Sequence, residues 1–367
     1  MHLPKLIILV AAAAVALLGA TGAQPTPGSS GVRLLRTATG VTGLAADGSV
    51  AAVATGCGDW GYPVPHLFAW NPVRRSVVRM GTRRERKCDR GGVLEQAIAG
   101  HRLVWVPYQA GNYIYARLVT ATVERPLSTT QLIEERTHHA DSGIGDWVGN
   151  VHGNGPLLVF NTWSTCEWDP DTGDNPCPEG VPPRTFHIFD EKLWRIVGGR
   201  KRLLVASPDE LAVLSVAAGR ILVRRADESL EVRRSDGSLL RAFPFRRGEV
   251  RAALIDASRL VVLDHGSSLT WRVYDLVSGQ QKRVFAAPGR AIATDVERGL
   301  LVYTVGRAVY VLRLADGRKV IFKAPVVRMP YPAPVQAQLE PSGLFYSYDV
   351  RREGRVRFVP FGEIRFR

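Results

Sequence analysis

Lysine is scarce in this chain of 367 residues. Only seven of its 48 basic residues are lysine, so arginine carries nearly all of a formal net charge of +14. No long segment has an apolar period of 3.6, which excludes a helical bundle. After residue 23 no run of 18 apolar residues occurs, which excludes a further membrane-spanning helix. There is no G-x-S-x-G, no H-E-x-x-H, no phosphate loop and no dinucleotide fingerprint. Their absence removes the propeller-plus-hydrolase, zincin and nucleotide-binding classes. Basic runs such as Arg83-Arg84-Glu85-Arg86-Lys87, Arg224-Arg225 and Arg351-Arg352 are scattered and interrupted by acids. A nucleic-acid stripe needs clustering on one surface, so nucleic acid is not the expected partner. Apolar residues at 46% and charged residues at 22% are those of a globular protein.

The first 23 residues hold a short basic start (His2, Lys5), the apolar run Leu6 to Leu18, and the small-residue ending Ala20-Thr21-Gly22-Ala23. This is the pattern of a signal peptide cleaved after Ala23, and the run is too short to span a bilayer. Residues 24–31 read as a linker and residues 32–367 as one domain. The expected location is secreted or extracytoplasmic, in a periplasm or at a cell surface. Four cysteines, an even number, fit that oxidising compartment. Three pairings are possible, of which the nearest-neighbour one joins Cys57 to Cys88 and Cys166 to Cys177. A zinc site is disfavoured because no C-x-x-C pair occurs.

Beyond the linker the chain becomes short runs of Val, Leu, Ile and Tyr separated by Gly, Asp, Pro and Ser, so the domain reads as all-β. A turn-then-run unit recurs, as in Ala46-Asp47-Gly48-Ser49-Val50, Asp256-Ala257-Ser258-Arg259-Leu260 and Glu340-Pro341-Ser342-Gly343-Leu344. A second hairpin closes each unit, as in Val273-Tyr274-Asp275-Leu276-Val277-Ser278-Gly279 and Val311-Leu312-Arg313-Leu314-Ala315-Asp316-Gly317. First strands near Val41, Leu94, Ile144, Leu211, Val250, Ala291 and Val335 give seven units with blade-like spacing. The segment Val32 to Arg36 is expected beside Val356 to Val359, closing the ring with both chain ends. Ser207-Pro208-Asp209 and Glu340-Pro341-Ser342-Gly343 resemble the TolB-type hairpin, and Tyr274-Asp275-Leu276 with Gly279 resembles that of WD40-like repeats. The resemblance implies a seven-bladed β-propeller and no particular activity. An eight-bladed ring is the alternative, because Lys192 to Ser215 has room for another strand pair.

In a propeller, the loops between second and third strands and between blades open on one face. In units one to three these segments carry Trp60, Tyr62, His66, Tyr108, Tyr113, Trp147, His152, Trp163 and Trp168 as candidate ligand-binding residues. Flat rings for stacking beside polar groups suit a protein or carbohydrate ligand. The expected function is therefore a binding or scaffold protein using this face. The alternative is an extracellular carbohydrate-active hydrolase or lyase, with His138 or His139 as base oriented by Asp141. Asp169, Asp171 and Asp174 precede or follow Gly173 in an acidic loop and are weak calcium candidates, although the EF-hand spacing fails. No other cofactor is expected. The excess positive charge suits attachment to an anionic cell envelope.

Overall fold

The computed structural model describes residues 25–27, 33–56, 66–82, 91–109, 115–139, 144–167, 177–181, 186–265, 268–325, 335–351 and 353–366. The first strands in chain order are β1 (Pro25–Pro27) and β2 (Arg33–Thr37). Blade 1 follows as β3 (Val41–Asp47), β4 (Val50–Thr55), β5 (Leu67–Asn71) and β6 (Ser76–Met80). Blade 2 is β7 (Gly91–Ala99), β8 (Arg102–Gln109), β9 (Tyr115–Thr122) and β10 (Arg125–His139). Blade 3 is β11 (Ile144–Asn154), β12 (Leu157–Glu167), β13 (Phe186–Val197) and β14 (Arg200–Ser207). Blade 4 is β15 (Leu211–Ala217), β16 (Arg220–Arg225), β17 (Leu230–Arg234) and β18 (Leu239–Phe243). Blade 5 is β19 (Val250–Ile255), β20 (Arg259–His265), β21 (Leu269–Asp275) and β22 (Gln281–Ala286). Blade 6 is β23 (Ile292–Glu297), β24 (Leu300–Val305), β25 (Ala308–Arg313) and β26 (Lys319–Lys323). Blade 7 is β27 (Gln336–Glu340), β28 (Gly343–Val350) and β29 (Glu353–Pro360), completed by β2 and β1 on its outer side.

Each blade is an antiparallel meander, and the ring explains its hydropathy. A second strand is covered by a neighbouring blade on both faces, so it has no reason to alternate. Five of six residues in β4 and seven of eight in β28 are accordingly buried. Outermost strands are half solvated, and β26 alternates between exposed and half-buried positions. The core is divided into seven apolar layers, one between each pair of adjacent blades. Leu157, Val159 and Leu193 of blade 3 meet Leu211, Val213 and Ile221 of blade 4, for instance. Between blades 2 and 3 the approach is so close that a Cβ on Gly153 would collide with the carbonyl oxygen of Ile98.

Ring closure is as the sequence predicts. Strand β2 pairs with β29, with Arg33 opposite Phe358 and Thr37 opposite Gly354. Leu35 of β2 is fully buried in the layer shared by Trp70 of blade 1 and Phe345 and Phe358 of blade 7. Pro25–Pro27, within the segment read as linker, pairs with β2 as a further strand. The eight-bladed alternative is overturned. Lys192 to Ser215 is taken up by β13, β14 and β15, because β13 spans 12 residues rather than two short strands.

Removing the side chain that ties both chain ends together should open the ring. Leu35→Ala is expected to lower stability by about 2 to 4 kcal/mol, against less than about 0.5 kcal/mol for the exposed neighbour Arg36→Ala, read by denaturant unfolding.

Candidate functional site

Blades 2 and 3 depart from the other five. Their strands form one eight-stranded sheet, because the outermost strand of blade 2 pairs with the innermost of blade 3. Thr137 lies opposite Gly145 and His139 opposite Ile144 across this join. Strand β10 has 15 residues, β11 and β12 have 11 each, and β13 has 12, whereas those of blade 4 have five to seven. The extra length lies on the loop-rich face. Asn161 of β12 donates to the Leu211 carbonyl at 3.0 Å and accepts from Val213 N–H at 2.9 Å, at the start of blade 4's first strand. Trp163 lies two residues farther along the same side of β12 and therefore stands above blade 4.

Trp147 is directly opposite Trp163 in the register, so both rings share this side of the sheet. Both are half-buried. Trp147 Nε1 donates to Thr165 Oγ1 at 3.2 Å, and the end of the Trp163 ring lies over Gly149, which has no side chain to obstruct it. On the other side of the sheet Ser164 Oγ donates to Asp146 at 2.6 Å. Cys166, the last buried residue of β12, is joined to Cys177, so the expected disulfide anchors the long loop to the raised sheet. Pro178, Val181, His187 and Phe189 border a shallow pocket of about 500 Å³ beside this anchor. The His187 and Phe189 rings stack there with centroids 6.1 Å apart.

A second cavity, of about 390 Å³, follows the ring axis and is lined by the seven first strands. Each first strand pairs within its blade on one side only, leaving its other edge toward the axis except where the start of β11 pairs with β10. Side chains of the preceding blade accept from backbone N–H groups on the first strand itself at Val151, Ile255 and Leu339, and in the turn that follows it at Gly100, Ala218, Gly299 and Gly48. Gly100 N–H donates to Asp47, Val151 N–H to Glu95 at 2.9 Å, and Ala218 N–H to Asn154 at 3.1 Å. The series continues with Ile255 N–H to Ser215 at 3.5 Å, Gly299 N–H to Asp256 at 3.0 Å and Leu339 N–H to Asp295 at 2.7 Å. Gly48 N–H donates to Glu340 at 2.8 Å, which returns the series to blade 1. Every junction thus has an acceptor from one blade and a donor from the next. Six first strands carry a bulge, and in β7, β15 and β23 the residue just past it is the acceptor Glu95, Ser215 or Asp295.

Placing carboxylates in this cavity perturbs them. Burial, reinforced by Asp295 and then Asp47 and Glu297, pushes the Glu340 carboxyl up to about 9 against the lowering effect of Gly48 N–H. Burial raises Asp295 to about 7 against the N–H groups of Leu339 and Val296. Glu95 is also raised, chiefly by burial. His152 lines the same cavity, and burial lowers it to about 4, so its imidazole is neutral at neutral pH.

The candidates from sequence are therefore distributed. Trp147 and Trp163 come together on the raised sheet, whereas His152 belongs to the axial cavity. His66 sits at the head of β5, where Arg79 Nη2 contacts its Nδ1 at 2.5 Å and Phe68 packs 5.5 Å away. Tyr108 pairs with Gly92 and Ala116 near the end of β8, and His138 and His139 end β10. Trp60, Tyr62, Tyr113, Trp168, Asp141, Cys57, Cys88 and the calcium candidates Asp169, Asp171 and Asp174 lie outside the described residues. The axial acceptors were missed from sequence. Their signal, where one exists, is an acid or amide closing the first strand of a unit, seen at Asp47, Asn154, Asp256 and Glu340.

No protein-family model matches the sequence, and no curated protein matches it. Among solved structures, the WD40 β-propeller domain of Doa1 is similar over 89% of this chain and 95% of its own, with 10% identity and a TM-score of 0.51. A chain of the mitotic checkpoint complex is similar over 98% of both chains, with 14% identity and a TM-score of 0.50. At these identities the likeness gives the WD40-like propeller architecture alone.

The cavity sets a pH dependence. A carboxyl raised in the folded state stabilises fully below its unfolded value of about 4.5 and loses that contribution as pH rises through its folded value. His152 acts oppositely, its contribution being complete above about 6.5 and lost as pH falls. Above pH 6.5 the carboxyls therefore govern, and the melting temperature should fall from pH 6.5 to pH 9. One linked proton changes stability by at most about 1.4 kcal/mol per pH unit. Glu340→Gln keeps an acceptor for Gly48 and should flatten that decline in calorimetric melts.

Proposed function

We propose that the protein is an exported propeller that binds a ligand or partner over the loop-rich face of blades 1 to 3. The observation that carries this reading is the raised sheet, which holds Trp147 and Trp163 side by side on paired strands. Half-buried indoles on a rigid sheet present flat apolar area at small entropic cost, which suits stacking against a sugar ring or an extended peptide. The apolar leader and the disulfide between Cys166 and Cys177 support an oxidising compartment. Of the histidines among the ligand-binding candidates, His66 contacts Arg79 on blade 1 and His152 lines the axis, so neither adds to the paired indoles.

Glycan and peptide arrays probed with the protein should yield a ligand for which the double variant Trp147→Ala/Trp163→Ala loses at least about tenfold in affinity, with the seven-bladed fold retained by circular dichroism. Blank arrays together with a blank envelope pull-down, or an unchanged affinity, would refute the reading. Replacing Cys166 and Cys177 by Ser should cost about 2 to 3 kcal/mol in the chain-entropy picture and loosen the raised sheet, read as faster amide exchange in β12.

A further inference from the structure

The face opposite the loops is built from the turns joining first to second and third to fourth strands, and it has an unusual composition. Eleven large apolar side chains are prominently exposed among the described residues; two of them lie in third-to-fourth-strand turns and three more in the strands within three residues of such turns. These are Val73 of blade 1 (56% exposed), Leu127 of blade 2 (61%), Val197 of blade 3 (49%), Leu239 of blade 4 (49%) and Val277 of blade 5 (75%). Val73 and Val277 occupy equivalent tips. Asn71 accepts from Arg74 N–H at 2.9 Å beneath one, and Asp275 from Ser278 N–H at 2.7 Å beneath the other. Exposed basic side chains flank the same turns: Arg74, Arg75, Arg125, Arg200, Arg234 and Lys282.

All these turns lie at one end of the ring, so the apolar tips and the cations share a broad surface. Charge on outer strands also guards their open edges against pairing with other chains. That need is met by charge alone and does not call for valine and leucine at the tips. Apolar tips interleaved with Arg and Lys are what an anionic bilayer recognises, cations meeting the headgroup phosphates and aliphatic tips entering the acyl boundary.

We propose that this turn face docks the propeller on an anionic phospholipid surface. The loop-rich face, with its raised sheet, then points away from the membrane. A plane engages turns from several blades at once, whereas a linear polyanion crossing the ring would meet only those along its path.

The test is co-sedimentation of the chain from residue 24, which retains every described strand, with vesicles of equal phosphatidylglycerol and phosphatidylcholine. Binding is expected at 0.1 M salt and not to phosphatidylcholine alone, with at least about a tenfold loss in Val73→Asp/Val277→Asp and in Arg200→Glu/Lys282→Glu. Arg246→Glu/Arg247→Glu removes the same charge from exposed positions on the loop face and should retain binding within about twofold. These substitutions sit at exposed positions, and far-UV dichroism checks the fold. The proposal is overturned if the protein ignores anionic vesicles, or if the loop-face variant loses as much as the turn-face ones. It is also overturned if the valine variant binds vesicles undiminished and dextran sulfate competes with them equally, because the face then reads polyanion charge alone.

Discussion

The ring depends on how each first strand, or the turn that follows it, is tied to the preceding blade. A strand at a sheet edge exposes unpaired N–H and C=O groups, and near a crowded axis water alone is a poor substitute. Here the preceding blade supplies a side-chain acceptor at every junction, from Asp47 to Gly100 around to Glu340 and Gly48. The acceptors all run the same way round, and they fix the axial height of one blade against the next. The apolar layers between blades then supply non-directional cohesion, and the pairing of β2 with β29 makes the series circular.

This solution redistributes charge. Accepting backbone N–H groups across the junctions draws Glu95, Asp295 and Glu340 into the axial cavity of a protein whose formal charge is +14. The axis becomes acidic, and burial above all, reinforced by neighbouring carboxylates, raises Glu340 and Asp295. Arginine and lysine are left to the turns and outer strands. Basicity of the whole chain is therefore a property of its rim.

The two ends of the ring have different designs. At the loop end, blades 2 and 3 extend their strands and fuse through β10 and β11, giving aromatic side chains a rigid support. At the turn end, exposed aliphatic side chains and cations lie in or beside tight connections. A propeller can carry such unlike surfaces because its stability resides in the layers between blades, leaving both ends free to vary.

Seven units, an all-β chain and closure by Leu34 and Leu35 beside Val356 were legible in the sequence, because apolar runs and turn residues report local geometry directly. The pairing of Cys166 with Cys177 was legible for the same reason, since both fall in one inter-strand segment. The segments around Trp147 and Trp163 read as loops, yet they are strand. Their pairing partners lie on neighbouring strands, and strand length is set by those partners rather than by local composition. His152 read as part of the loop cluster, and only the first-strand position of β11 brings it to the axis. Nor does a lone Glu95 or Glu340 announce itself as an acceptor for another blade. The repeat pattern by itself determined the propeller architecture and the closure of the ring, since each unit must bury both faces against a neighbour, while the 12-residue length of β13 decided seven blades over eight. Which polar groups meet across the axis and which apolar groups stay exposed on the turn end were decided only by tertiary structure, because both depend on how blades distant in sequence are set around a common centre.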